Sequence, residues 1–389
     1  MGRRIDFFIS NRRHHWQVSS RVSRILAERG HDVRILSLCE LRGEVTPEPS
    51  SSSVPVVQLI GGRAAAGRKG VVKSARGGPV RRLLRKAAWY GRLAPRLELQ
   101  LRSRKPDVVV VPNDLAYPFD RYVRMLKRHS IRWALYQEGI LFRLPDSGLK
   151  PYGAGGADAI AAWGSQAADY FTNVAGAPSS TVFAVGSPRH DDFTREAFAA
   201  EAERLRSEVP EGHKLITFFG TTVDKPGGHC TTEQKLRSIE QFVASLEQVA
   251  ESHPFVLWVK PHAGENAENY AEILRRSKIA EQAELRTTLP TFPAVLASDA
   301  VIMNGSSIGV EALLLGARVG VIPVPNTGYP FDYGTSGVYT TIPATDGADA
   351  IVELLTATVD EEARAANLEK HFANRPNAAE EMASLLERI

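Results

Sequence analysis

The chain of 389 residues carries 48 Lys and Arg against 44 Asp and Glu, and 43% of its residues are hydrophobic. That length exceeds one ordinary domain and that apolar content fills two α/β cores, while no apolar run reaches the ~18 to 20 residues of a membrane span. The opening Met1-Gly2-Arg3-Arg4 leads into a stretch too short and strand-like for a signal peptide, and Cys39 and Cys230 lack CxxC spacing. A cytoplasmic protein with neither a disulfide framework nor structural zinc is therefore expected.

Residues 5–10 read as a strand, 16–29 as a helix and 33–38 as a second strand, a βαβ opening. Val18, Val22, Ile25 and Leu26 give the helix a buried stripe, and Gly30 closes it. The loop over 11–15 holds Arg12, Arg13, His14 and His15, which either grip an acidic acceptor or are solvated surface. Residues 47–55 form a serine-rich loop. Between 63 and 105, fourteen Lys or Arg accompany the single acid Glu98, so the net charge of +4 conceals a local excess. There Val80, Leu83, Leu84, Ala87 and Ala88 recur at helical spacing opposite Arg81, Arg82, Arg85 and Lys86, with Trp89 beside them. Such a basic amphipathic helix either makes peripheral contact with the inner face of a membrane or an acidic acceptor, or packs on the core with a solvated face. Nucleic acid is not expected, because no recognised binding motif accompanies the charge.

A continuous valine strand over 108–111 follows, then a helix over 120–129, strands over 131–136 and 159–163, a helix over 166–174 and a strand over 182–185. Gly186-Ser187-Pro188-Arg189 breaks the pattern before a charged helix over 195–209. The alternation then resumes with strands over 215–219, 255–259, 300–303 and 319–322 and helices over 233–252 and 308–315. Two Rossmann-like, doubly wound parallel-sheet domains are expected. Their bounds are 1–194 and 213–365, joined by a linker helix over 195–212, with terminal helices over 366–389 crossing back to brace the first.

In an open parallel sheet the loops after the carboxyl ends of the strands meet the ligand. Four such loops are polar. Glu138, between Gln137 and Gly139, reads either as a general base or as a turn acid. Lys260 and His262, separated by the rigid Pro261, either neutralise and protonate a departing phosphate or are surface cations. Asn304, Gly305, Ser306 and Ser307 precede a helix carrying Glu311, a start that both caps the helix and suits a nucleotide phosphate. Gly220, Thr221 and Thr222 contact phosphate or sugar, or form a plain turn. A further turn over 325–329 contacts the donor or serves only as a turn. Neither GxGxxG nor Walker A follows a strand and no HExxH occurs, which disfavours a dinucleotide oxidoreductase or an ATPase; no metal and no essential cofactor are expected.

The series Gln137-Glu138-Gly139, Lys260-Pro261-His262 and Asn304-Gly305-Ser306-Ser307-Ile308-Gly309-Val310-Glu311-Ala312-Leu313 resembles the capsule-polysaccharide transferases. These include bacterial polysialyltransferases and β-Kdo transferases and, more distantly, CDP-glycerol glycerophosphotransferases, all GT-B enzymes. The stretch from Ala162-Trp163-Gly164 through Val185-Gly186-Ser187-Pro188-Arg189 is similar to the end of their first domain, and the likeness covers the chain from about residue 108 onward. The resemblance implies Glu138 as base, His262 as a phosphate contact and Ser306 and Ser307 as phosphate ligands. It also implies a CMP-activated donor such as Kdo or a sialic-type acid, or a CDP-linked polyol, with UDP-, GDP- or dTDP-sugars left open. Ala263 stands where those families commonly have proline, and Gln137 where many have a second acid.

The expectation is a metal-independent, inverting GT-B glycosyltransferase that moves a sugar onto a glycan, lipid-linked or small-molecule acceptor from a donor held between its two halves. A UDP-N-acetylglucosamine 2-epimerase is the alternative; it needs further carboxylates and arginines, for which Asp114, Asp191 and Arg189 are available near strand ends, but the extended histidine and arginine signatures associated with those epimerases are absent. A non-catalytic nucleotide- or carbohydrate-binding protein on the same scaffold is the third reading.

Overall fold

The computed structural model describes residues 2–42, 44–47, 54–60, 91, 93–141, 150–224, 230–323 and 337–389. The basic amphipathic segment with Trp89 and the turn over 325–329 lie outside them. Among the described residues no helix is long and apolar enough to cross a membrane. The chain forms two compact units, one of Met1–Gly139, Lys150–Asp191 and Phe372–Ile389, the other of Ile140–Leu149 and Asp192–His371.

In the first unit β1 (Arg4–Ile9), α1 (His14–Glu28), β2 (Asp32–Ser37) and β3 (Val56–Gln58) are followed by α2 (Ala94–Arg104), β4 (Val108–Val111) and α3 (Phe119–Arg128). Then come β5 (Arg132–Tyr136), β6 (Ala159–Ala162), α4 (Ser165–Asn173) and β7 (Val182–Ala184). The sheet order is β3-β2-β1-β4-β5-β6-β7 and every pairing is parallel. All four valines of β4 are buried, as a central strand covered on both faces requires. The α1 stripe of Val18, Val22, Ile25 and Leu26 joins one core with Ile5, Phe7 and Ile9. A terminal helix, Ala378–Arg388, adds Met382 and Leu386 to that core and packs on α1, where Arg29 pairs with Glu380 and Glu387. Asp191 caps this helix, accepting from the amides of Ala378 at 3.0 Å and Ala379 at 2.9 Å.

The second unit opens with a 3-10 turn, Glu196–Phe198, and α5 (Ala199–Arg206), so the single helix expected over 195–209 is broken at its start. Phe193 meets Phe198 and Phe292 there edge to face, and Phe198 and Phe292 lie tilted against each other. β8 (Lys214–Phe219), α6 (Thr232–Val249), β9 (Phe255–Lys260), α7 (Ala267–Arg276) and β10 (Ala283–Leu285) follow. The remainder is α8 (Thr291–Ala297), β11 (Ala300–Met303), α9 (Ser307–Leu314), β12 (Val319–Val321), β13 (Tyr339–Thr341), α10 (Gly347–Thr356) and α11 (Glu361–His371). This sheet too is wholly parallel, in the order β10-β9-β8-β11-β12-β13. Thr231 and Gln234 form a capping box that starts α6 at Thr232.

Candidate functional site

In the first unit the polar residues gather where β1, β5 and β7 end. Gln137 anchors the loop after β5: its side-chain oxygen accepts from Trp163 N–H at 2.7 Å, its amide nitrogen donates to Gly139 C=O at 2.9 Å, and Trp163 Nε1 donates to its carbonyl at 3.0 Å. An acid there could accept from Trp163 but could not also donate to Gly139, which gives Gln137 a structural reason. Glu138 follows, its side chain 33% exposed, and His15 Nε2 lies 2.8 Å from its Oε1. His15 is fully buried and its Nδ1 accepts from Ser10 N–H at 3.1 Å. Both ring nitrogens of His15, which the sequence offered for an acceptor, are engaged inside the unit, with Glu138 and with the backbone.

Beside the carboxylate stand His14 and Arg189. The Arg189 guanidinium donates to His14 Nδ1 at 2.5 Å and to His190 Nε2 at 3.1 Å, and its carbon sits 5.7 Å from the centre of the Trp163 ring. Because His190 Nε2 accepts, its Nδ1 carries the proton and donates to Ser187 Oγ at 2.8 Å. Burial pushes Arg189 down to about 10, against the opposing pull of Glu138. Although His14 reaches the surface, burial of its inner side and then the Arg189 charge push it down to about 4. Burial likewise holds His190 well below its ordinary range, and takes His371 in the second unit down to about 4. These imidazoles are harder to protonate folded than unfolded, so the stability they contribute is complete above the ordinary value of 6.5 and is lost as the pH falls through about 4. Urea unfolding across that window is expected to show falling stability, with a shallower fall in His371→Gln.

The other expected residues of this unit divide. Arg12 and Arg13 are exposed; the Arg12 amide is held by Glu44 at 2.8 Å, and Asn11 Oδ1 accepts from the amides of Arg13 and His14. Asp114 accepts from Gly153 N–H at 3.1 Å and Gly155 N–H at 2.7 Å, pinning that loop, and burial raises its carboxyl above the ordinary range. Asp191, as the terminal helix cap, is equally committed. Arg189, offered by the sequence only for an epimerase, is the member of that set found beside Glu138, in the 3-10 turn Pro188–His190 after β7.

In the second unit the expected residues lie at the carboxyl ends of three adjacent strands, β9, β8 and β11. Gly220 follows β8 against Glu265: a Cβ there would lie 2.2 Å from Glu265 Oε2, so a side chain would have to move that carboxylate. Thr221 Oγ1 is buried with no hydrogen-bond partner, and Thr222 lines a cavity of about 280 Å³ shared with Asp224, Lys235, Glu265 and Tyr270. Lys260 ends β9 and donates to Thr291 Oγ1. His262 is exposed; its Nδ1 accepts from Gly264 N–H at 3.0 Å and its own amide donates to Glu265 Oε2 at 2.6 Å. Glu265, missed in the sequence, also accepts from Lys235 and from Tyr270 OH at 2.7 Å, which ties the loop bearing His262 to α6 and α7. After β11, Asn304 is buried and Gly305 takes a left-handed φ of 86°. Ser306 caps α9, its hydroxyl accepting from Ile308 N–H at 3.4 Å, Ser307 opens the helix, and Glu311 is buried within it. A parallel-strand edge with backbone amides, hydroxyls and one lysine is a polar, cationic setting for an anion.

No protein-family model and no curated protein matches the chain. Solved structures do. The UDP-GlcNAc 2-epimerase of Methanocaldococcus jannaschii, in complex with UDP-GlcNAc and UDP, is 13% identical with a TM-score of 0.63, over 99% of each chain. That of Neisseria meningitidis, bound to UDP-GlcNAc, is 12% identical with a TM-score of 0.60, over 99% of this chain and 100% of the other. A glycosyltransferase of Rickettsia africae is 11% identical with a TM-score of 0.59, over 100% of this chain and 97% of the other. At such identity the likeness is one of fold. With its two wholly parallel α/β units, each Rossmann-like, the chain has the GT-B fold.

Proposed function

We propose that the chain is an enzyme of nucleotide-activated sugars that takes a UDP-linked N-acetylhexosamine, with Glu138 as its base and the strand ends bearing Thr221, Lys260, Ser306 and Ser307 as its diphosphate ligands. The observation that carries this reading is the Glu138 carboxylate, partly exposed at a strand end and held by His15 at 2.8 Å. UDP and UDP-GlcNAc are the molecules named with the solved neighbours, which supports a UDP-linked substrate. The CMP-linked donor implied by the capsule-family resemblance draws no such support and is set aside.

Two reactions suit the arrangement. In an epimerisation, Glu138 takes the C2 proton as the C1–O bond to UDP breaks and a C1–C2 double bond forms, and a proton then adds to the opposite face of C2 as UDP re-adds at C1, with no acceptor; the epimerases among the neighbours support this reading first. In a transfer, Glu138 takes the acceptor hydroxyl's proton as that oxygen attacks the anomeric carbon and the C1–O bond to UDP breaks. One observation favours the second: Asp114 and Asp191 are spent on backbone amides, and transfer needs a single base.

A thermal-shift titration with UDP, UDP-GlcNAc and CMP tests the nucleotide assignment. UDP at 100 times its Kd should stabilise the fold by about 2.7 kcal/mol, and less in Ser306→Ala and Ser307→Ala. A shift with CMP alone would return the capsule-type donor, and no shift with any of the three would remove the nucleotide-sugar reading.

A further inference from the structure

We infer that His15 is the positioning residue for Glu138: a buried neutral imidazole, its tautomer imposed by the Ser10 amide, that donates to the carboxylate and fixes its orientation. This rests on Glu138 being the base.

Ser10 directly follows β1, and its amide donates to His15 Nδ1 at 3.1 Å in the first turn of α1. A nitrogen that accepts an N–H cannot carry a proton, so the neutral ring must carry it on Nε2. That N–H donates to Glu138 Oε1 at 2.8 Å. The ring packs against Phe119 and Tyr136, which stand edge-on to it with centroids 6.0 and 6.4 Å distant. His15 is 0% exposed, whereas the Glu138 side chain is 33% exposed, so the donor is sealed behind the carboxylate and the carboxylate meets the solvent side. Of the two roles open to a histidine beside a carboxylate, proton carrier or fixed donor, the geometry serves the second: protonating Nδ1 would break the Ser10 bond and leave that amide buried without a partner. A carboxylate held by a fixed donor keeps one orientation, and misplacement of a reacting group by about 1 Å costs on the order of 10²-fold in rate.

The test combines nitrogen-15 NMR of the histidine rings with turnover of UDP-N-acetylglucosamine. In the wild-type protein His15 should show a protonated Nε2 and a bare Nδ1, and its ring signals should move in Glu138→Gln. His15→Ala should lower kcat by about 10²-fold with KM changed less than about threefold. His15→Gln, whose side-chain amide can donate in place of Nε2–H, should recover most of that loss. Combining His15→Ala with Glu138→Gln should cost no more than Glu138→Gln alone, since a positioning residue has nothing left to position. A proton on Nδ1, signals that ignore Glu138→Gln, or a further tenfold loss in the double variant would overturn the inference. The NMR arm needs no His15 variant, so it decides even if His15→Ala fails to fold. Full activity in Glu138→Gln would instead remove the base assignment, and the ring signals would still report whether the pair exists.

Discussion

Glu138→Gln is expected to lower turnover of the UDP-linked sugar by about 10²–10⁴-fold, the range for loss of a general base, while UDP binds as it does to the wild type. The substitution is close to isosteric, and its amide oxygen still accepts from His15 Nε2–H, so the loop after β5 keeps its anchor through Gln137 and Trp163. What disappears is the basic oxygen. The melting temperature should stay close to that of the wild type, because one charge at a partly exposed position carries little of the fold. Equal loss of activity and of UDP binding would mark Glu138 as part of the binding surface, and unchanged activity would place the base elsewhere.

The largest effect on stability is expected at Asp6. This carboxylate is 0% exposed inside β1 and accepts from Arg34 Nε at 2.9 Å and Nη2 at 2.8 Å, and from Arg104 Nε at 2.8 Å. The parallel register that sets Asp6 opposite Arg34 makes the paired contact, and α2 brings Arg104 to the same oxygens. Both guanidiniums are largely buried, and their other hydrogen bonds, to Gln100 and to Asp32, leave them without a second buried carboxylate. Asp6→Ala should therefore destabilise the first unit by about 3–5 kcal/mol, the cost of breaking a buried ion pair from one side. The double variant with Arg34→Ala should lose less than the sum of the two single losses, because each single change strands the partner. Urea unfolding measures both; a loss below about 1 kcal/mol for Asp6→Ala would show that water replaces the carboxylate.

Much of the architecture is legible in the residues. The valines of β4, the apolar stripe of α1 and the alternation of strand and helix announce two parallel sheets, and the strand over 300–303 falls where β11 lies. The elements that escape are short or polar. β3, β10 and β13 are short edge strands with little apolar run of their own, and they become strands because an existing edge offers them a ladder. α2 and α7 are rich in charge, and α8 carries a proline in its first turn.

The candidate site was legible in its parts and not in its pairings. Glu138, Lys260 and Ser306 stand at strand ends, which sequence pattern locates. Nothing in the sequence joins His15 to Glu138 across 123 positions; the order β1-β4-β5 does, by setting the start of α1 near the loop after β5. The same limit explains Asp114 and Asp191, which read as free carboxylates until the loop and the helix they anchor are in place. It also explains Arg189, whose meaning depends on His14, 175 positions earlier.

Proton NMR of UDP-N-acetylglucosamine in deuterated water, with wild type and with Glu138→Gln, tests the central claim most directly. The wild type, without any acceptor, should replace a sugar ring proton by deuterium as the epimer appears, or, in the transfer reading, should release UDP only when an acceptor is supplied. Glu138→Gln should do neither at a comparable rate. An unchanged sugar under both conditions, or equal rates for the two proteins, would contradict that claim.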